Sequence, residues 1–130
     1  MGKSYRELQV WRQSMDLVKE IYRVTRQFPN DERFGLTSQI RRAAVSIPSN
    51  IAEGQARYSQ REFMRFLSTA RGSLAEVETQ LLLSAELGYV PEDEMHLLNR
   101  KTAEIGRLLN GLHTAIQLRT ENRELGTSSR

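Results

Sequence analysis

The sequence of 130 residues has no cysteine, only three prolines and few aromatic residues, which make up 7% of the chain. Without cysteine there are no disulfides, thiolate zinc sites or thiol nucleophiles. No apolar run approaches the ~20 residues that a membrane-spanning helix needs, and the first residues lack the apolar stretch of a signal peptide. We therefore expect a cytoplasmic protein with no membrane contact.

The net charge of the chain is small, but its basic residues are nearly all arginine. The chain has 19 basic and 16 acidic residues, for a net charge of +3, but 16 of the basic residues are arginine. The planar guanidinium group of arginine suits phosphate and carboxylate binding. Codon usage in a GC-rich genome would produce the same excess. The length and the 38% hydrophobic content predict one folded domain.

Apolar residues recur at spacings of three and four along most of the chain, which predicts helices instead of strands. The predicted helices cover about residues 5–28, 36–57, 60–87 and 91–118, and residues 119–130 are predicted to be a frayed tail. The three connections are short. The pattern therefore predicts an all-α fold, an up-down-up-down antiparallel four-helix bundle over residues 1–118.

Several residues refine these helices. The apolar stripe keeps its phase across Pro48, which predicts a kinked helix and not a break. Ser59 and Glu62 form a predicted capping box ahead of the third helix. Gly88 is predicted to end that helix in the left-handed conformation.

The first predicted helix carries two neighbouring apolar stripes. One contains Leu8, Trp11, Met15, Val18 and Tyr22; the other contains Val10, Leu17, Ile21, Val24 and Phe28. Together they make an apolar face wider than a two-helix contact requires.

The positive charge is concentrated in residues 33–71. This window holds seven arginines against Glu53 and Glu62, a net charge of +5. A basic face of this kind is expected where a protein binds phosphate backbones; the alternative is a solvated face with local Arg–Glu pairs. Tyr58 is the one aromatic side chain nearby that we expect to be free for base stacking, since Phe63 and Phe66 fit the core. The candidate phosphate-binding residues are Arg41, Arg42, Arg57, Arg61 and Arg65.

Motifs for catalysis, cofactors and metals are absent from the sequence. Asp93 and His96 form a single D-x-x-H pair, which is too little for a di-iron site. Arg107 and His113 suggest a ribonuclease, although a regular helix places them about 240° apart. Asn50, Glu53 and Gly54 are interpreted as packing and backbone-bonding residues. We predict no catalytic residue, no cofactor and no metal.

The segment from Gln39 to Gly54, QIRRAAVSIPSNIAEG, resembles the signature of the four helix bundle protein family. Flanking segments agree with it, so that the similarity covers about residues 5–118. These proteins are encoded by intervening sequences in bacterial 23S rRNA genes and were formerly labelled S23 ribosomal proteins. The family is related to the accessory variability determinant of diversity-generating retroelements.

The resemblance implies a four-helix protomer, a ring-shaped homopentamer and no established catalytic residue. An oligomer interface would explain the second stripe of the first helix, with Val10, Leu17 and Val24 as candidate interface residues. We expect a non-enzymatic bundle that binds RNA or another nucleic acid through arginine–phosphate contacts. The alternatives are a protein-interaction scaffold, for example one accessory to a reverse transcriptase, and a ribonuclease that uses Arg107 and His113.

Overall fold

The chain folds into four long α-helices that surround one apolar core. The computed structural model describes residues 4–128, and side chains for residues 4–125. Expectations for residues 1–3 and 129–130 lie outside this range. Within it there is no strand, which confirms the all-α class. The helices are α1 (Gln9–Thr25), α2 (Leu36–Ala56), α3 (Gln60–Glu86) and α4 (Glu92–Ser128), with single 3₁₀ turns at Tyr5–Glu7 and Asn30–Glu32.

Each helix packs against two others. α2 contacts α1 and α3, and α4 contacts α3 and α1. The core lies between them and consists mainly of branched aliphatic side chains at helical spacing, which is the arrangement that amphipathic helices adopt to bury their apolar faces. Its largest fully buried members include Leu17, Ile21, Ile40, Ile47, Ile51, Leu67, Leu81, Leu98, Ile105 and Leu109.

At the helix ends the Ser59 cap and the Gly88 turn are as the sequence predicts. The second half of the capping box is not seen among the described residues, where the Glu62 carboxylate pairs with Arg65. The Ser59 hydroxyl accepts a hydrogen bond from the Glu62 backbone N–H at 3.3 Å and caps α3. Gly88 has a φ of 81°, which a side chain would strain. The Gly88 N–H donates to the Ala85 carbonyl at 3.0 Å, and the Tyr89 N–H donates to the Ser84 carbonyl at 2.9 Å. These two bonds satisfy carbonyls that the end of α3 would otherwise leave unpaired.

The predicted continuity of α2 is confirmed. The helix continues through Pro48, which is buried, as the unbroken apolar stripe indicates. Gly54 lies against α3: a Cβ atom there would be 2.7 Å from the Phe66 Cβ and 2.8 Å from Phe63 Cδ1. Gly54 is therefore required for close packing, and Asn50 bonds to the Ser46 carbonyl at 2.7 Å, both in line with the packing interpretation.

Three predicted helix boundaries are wrong: both ends of the first helix, which ends at Thr25 and not at residue 28, and the end of the fourth. Residues 5–8 do not belong to α1, because Leu8 is extended (φ −73°, ψ 125°) and separates a 3₁₀ turn from the helix. The predicted tail from residue 119 is helical up to Ser128. This extension contacts α3: the Thr120 hydroxyl donates to Gln60 Oε1 at 3.0 Å, and Arg61 Nη2 lies 2.8 Å from Glu124 Oε1. Polar contacts therefore hold a segment that has no apolar stripe.

The predicted oligomer interface on α1 is also wrong. Val10, Leu17 and Val24 are only 4%, 0% and 5% exposed in the single chain. They fill the protomer's own core and are unavailable to a second copy. Leu8, Trp11 and Val18 of the other stripe lie half-buried at the edge of that core. The stripe expected at an interface therefore lies in the core, and the other stripe lies at the edge of that core.

Candidate nucleic-acid interface

The structure divides the basic window into two separate clusters. Arg33, Arg41 and Arg42 lie around the start of α2, and we call them the groove cluster. Arg57, Arg61 and Arg65 lie around the α2–α3 connection, and we call them the turn cluster. Arg41 and Arg57 are 16 positions apart along α2 and its C-cap, which corresponds to about 24 Å of helix. One continuous basic face is therefore replaced by two sites.

The groove cluster borders an open groove of about 750 Å³ on the exposed side of α2. Residues 37–53 of α2 contribute to it, which is nearly five helical turns. Its lining is rich in arginines and small hydroxyl residues and contains a single carboxylate, that of Glu53. The lining residues are Tyr22, Arg33, Phe34, Thr37, Ser38, Arg41, Arg42, Val45, Ser46, Ser49, Asn50 and Glu53.

Arg41 is fixed at the wall of this groove by α1. Its Nε donates to the Thr25 hydroxyl at 2.8 Å, and its Nη2 donates to the Tyr22 carbonyl at 3.4 Å. Its guanidinium carbon lies 4.5 Å from the centre of the Tyr22 ring. A cation at the C-terminal end of α1 is favoured by the helix dipole. Arg41 is thus held in place by the fold, and no carboxylate within residues 4–125 forms an ion pair with it.

Arg42 and Arg33 carry charge that the described residues do not neutralise. Arg42 is exposed and lines both the main groove and a second groove of about 510 Å³ between α2 and α3. Within residues 4–125, neither side chain makes an ion pair. The Arg33 guanidinium lies 5.3 Å from the centre of the Phe34 ring, and Phe34 is 87% exposed. An exposed aromatic ring thus lies beside the Arg33 cation and lines the same groove as Arg42.

The turn cluster is largely neutralised. Arg61 pairs with Glu124 at 2.8 Å, and Arg65 pairs with Glu62 at 2.9 Å. Arg57 lies over the Phe66 ring, 5.0 Å from its centre. Arg65 thus forms a local pair of the kind that the alternative expects, whereas Arg61 pairs with a distant residue of α4. Tyr58 is fully exposed, as expected for a free aromatic side chain.

Sequence reasoning missed Arg33 and Phe34 as members of the groove. Both lie in the connection just before α2, so helical periodicity does not place them on any face. A signal for the rest of the groove does exist. Ser38, Arg42, Ser49 and Glu53 recur at spacings of four, seven and four, which marks one polar stripe on α2.

Arg23 forms the most connected ion pair, and it joins two helices. Its guanidinium donates to Glu94 Oε2 at 2.7 Å and Oε1 at 2.9 Å, and to Glu20 Oε2 at 2.9 Å. These bonds from Arg23 hold the pKa of the Glu94 carboxyl below its ordinary value. The same bonds, to Glu94 and then to Glu20, raise the pKa of the Arg23 guanidinium above its ordinary value. The pair lies outside both arginine clusters and has a structural role.

The structure does not bring Arg107 and His113 together. Arg107 Nη2 pairs with Glu104 at 2.6 Å, whereas His113 lines a pocket with residues of α3. In the part of the chain that the structure describes, no group of three His, Asp or Glu side chains is placed to hold a metal ion. None of the helices over residues 4–128 is both long enough and apolar enough to cross a bilayer.

The fold and the groove define an all-helical protein of four packed helices with an arginine-lined surface groove. The 23S rRNA-intervening sequence protein family matches residues 6–111. The chain belongs to this family.

A solved structure supports the same assignment. The chain is similar to a crystallised protein of unknown function from the S23 ribosomal protein family of Bacteroides thetaiotaomicron, with 25% sequence identity and a TM-score of 0.75. The similarity covers 81% of this chain and 95% of that one. No curated protein matches the chain.

Proposed function

We propose that the protein is a non-enzymatic, homo-oligomeric bundle that binds RNA, or another nucleic acid, through arginine–phosphate contacts. The observation that carries this proposal is the groove cluster: three arginines border one open groove in which Glu53 is the single acid. Arginine forks suit phosphate oxygens, and such contacts position a nucleic acid without reading its sequence. Binding should therefore tolerate sequence changes and weaken steeply with salt.

Each groove residue has a distinct expected role. Arg33 and Arg42 would contact phosphates, since neither has a carboxylate partner among the described residues. Arg41 would supply a fixed positive charge at the wall. Phe34 would stack on an unpaired base, because its exposed ring adjoins the same cations. RNA is favoured over DNA by the name of the family, whose genes interrupt 23S rRNA, and we place the protein in the cytoplasm.

We also propose that the helices run antiparallel in chain order, as predicted. Two long-range ion pairs support this arrangement. Arg23 near the end of α1 meets Glu94 near the start of α4, and Arg61 at the start of α3 meets Glu124 near the end of α4. Both contacts are those expected when α4 runs opposite to α1 and α3.

The proposal also includes assembly, with a homopentameric ring expected from the resemblance. Since the expected α1 interface is buried, another surface must serve. Leu82, Leu83 and Leu87 at the C-terminal end of α3 are three large apolar side chains exposed within six residues. Clustered exposed leucines are typical of protein contacts. We propose that this leucine patch contacts a second copy.

The test is a titration of a structured RNA, followed by fluorescence anisotropy at several salt concentrations. The groove variant Arg33→Gln/Arg42→Gln should bind more weakly and lower the salt slope by about two per protomer engaged, one for each lost phosphate contact. The matched control Arg100→Gln/Arg119→Gln removes the same charge from exposed positions on α4. Absence of wild-type binding at low salt would overturn the proposal, and equal losses in both variants would exclude the groove.

A protein-interaction scaffold is the second candidate, and one observation favours it. The groove also contains the half-exposed Val45 and the Glu53 carboxylate, which a folded partner could match with apolar and basic groups. Capture from a lysate separates the two functions: a partner that survives nuclease treatment and is lost in the groove variant supports the scaffold. Retention that requires intact nucleic acid supports RNA binding.

A further inference from the structure

A small pocket between α3 and α4 lies apart from the arginine groove. Its volume is about 250 Å³, and neither α1 nor α2 contributes to it. The lining residues are Leu67, Ser68 and Arg71 from α3, and Leu109, Asn110, His113 and Thr114 from α4. His113 and Thr114 lie three and four positions after Asn110, and Arg71 lies three positions after Ser68, so each helix presents one polar stripe to the pocket.

The pocket has an apolar floor and a rim of hydrogen-bond donors. Leu67 and Leu109 form the floor and are both buried in the core. The rim offers a guanidinium, an imidazole, a side-chain amide and two hydroxyl groups. No carboxylate lines the pocket. A rim of this composition favours an anion over a cation, because its one fully charged group is the Arg71 guanidinium and its other polar groups can all donate hydrogen bonds.

Arg71 is available to such an anion. In the described part of the chain its side chain makes no ion pair or hydrogen bond, unlike Arg107 nearby on α4, which is paired with Glu104. The rim is also accessible, because Arg71, Ser68 and Asn110 are exposed.

We propose that this pocket binds a phosphate group with free terminal oxygens, as in a phosphate monoester or inorganic phosphate. The Arg71 fork would bind two of its oxygens, and His113, Ser68 and Thr114 would donate to the others. A tetrahedral oxyanion suits donors that converge from two helices, and charge-assisted bidentate bonds to arginine are the strong kind. The volume admits the phosphate together with an attached group. This site is independent of the nucleic-acid groove.

Phosphate binding can be tested by NMR. The imidazole signals of the two histidines are recorded while inorganic phosphate or adenosine monophosphate is added at constant pH and ionic strength. His113 lines the pocket, whereas His96 is exposed near the start of α4 and serves as an internal control. We expect the His113 imidazole signals to shift saturably and the His96 signals to stay in place. Equal, non-saturating shifts of both histidines would overturn the proposal.

The variants make the test specific. Arg71→Gln should weaken phosphate binding by about tenfold or more, because it removes a charged bidentate partner. Arg107→Gln removes the same charge from α4 outside the pocket and should leave the binding curve unchanged. Identical curves for wild type and Arg71→Gln would overturn the assignment.

A final comparison identifies the source of the phosphate. Two RNA oligonucleotides of the same sequence, one with a 5′-phosphate and one with a 5′-hydroxyl, are added in turn at a salt concentration that suppresses binding to the groove. A His113 shift with the phosphorylated form alone supports the site and assigns it to an RNA end. A shift with neither RNA but with the free phosphates supports the site and assigns it to small molecules. A shift of equal size with both RNA forms would overturn a requirement for terminal phosphate oxygens.

Discussion

At the scale of single residues, the glycines of this chain have opposite roles. Gly54 allows α2 to approach α3, since a Cβ atom there would lie 2.7 Å from the Phe66 Cβ. Gly72 and Gly111 have no such neighbour within 4 Å. Gly54→Ala should therefore destabilise the protein by about 1–3 kcal/mol through overpacking. Gly72→Ala and Gly111→Ala should stabilise it by about 0.5–1 kcal/mol through helix propensity. Urea denaturation measures all three, and a stabilised Gly54→Ala would contradict the close approach.

Phe34 should matter for RNA with unpaired bases and not for duplexes. Its ring is 87% exposed beside Arg33. Base stacking on an aromatic side chain contributes about 1–3 kcal/mol, so Phe34→Ala should weaken single-stranded binding by about tenfold. Phe34→Trp should retain it. Fluorescence of a 2-aminopurine base reports stacking directly; unchanged fluorescence on binding to wild type and Phe34→Ala alike would show that the ring does not stack.

At the scale of helices, the link between α1 and α4 should make stability depend on pH. Arg23 holds the Glu94 pKa below its ordinary value of 4.5. A carboxyl with a lowered pKa in the folded state contributes stability above its unfolded pKa and loses that contribution as the pH falls through the folded pKa. Glu94→Gln should therefore melt at a lower temperature than wild type at pH 7. The difference should shrink as the pH falls below about 4.5 and through the lowered pKa of the folded state, where protonation removes the wild-type charge.

Asp93→Asn is the matched control for this pH dependence. Asp93 is the neighbouring acid in the same first turn of α4, and it is exposed. It shares the favourable position at the helix N-terminus but has no ion pair among the described residues. Thermal melts across the pH range should show a smaller effect for this variant. Equal effects of the two substitutions would assign the pH dependence to the helix dipole and not to Arg23.

The helices also show which features sequence reasoning reaches. Ser59 and Gly88 act through neighbours three or four positions away, so their roles follow from local pattern. The end of α4 depends on Gln60 and Arg61, about 60 positions distant, and no local pattern records that contact. Likewise, the two stripes of α1 are equally apolar, and which stripe faces the core depends on where α2 and α4 pack. The groove could not be predicted from local pattern, because it forms only where α2 and the connection that precedes it lie side by side.

At the scale of the whole molecule, assembly would multiply a modest charge. One chain carries +3, and repeating the groove cluster around a ring would let several protomers hold one RNA. Phosphate contacts add to the salt slope one by one. An assembly should therefore show a steeper salt dependence than a single chain, with an affinity gain from simultaneous contacts.

A substitution in the leucine patch tests whether assembly steepens the salt dependence of RNA binding. Leu83→Glu places a charge among side chains that we propose meet another copy, so sedimentation velocity at micromolar concentration should show a shift toward a 15.0 kDa monomer. Leu118→Glu adds the same charge at an exposed leucine on α4 and should sediment as wild type. Because Leu118→Glu adds the same charge, weaker RNA binding by Leu83→Glu alone would result from lost assembly and not from the added charge. If both variants assemble, the patch is not the interface; if wild type itself sediments as a monomer, the groove must act alone and the salt slopes of wild type and Leu83→Glu should coincide.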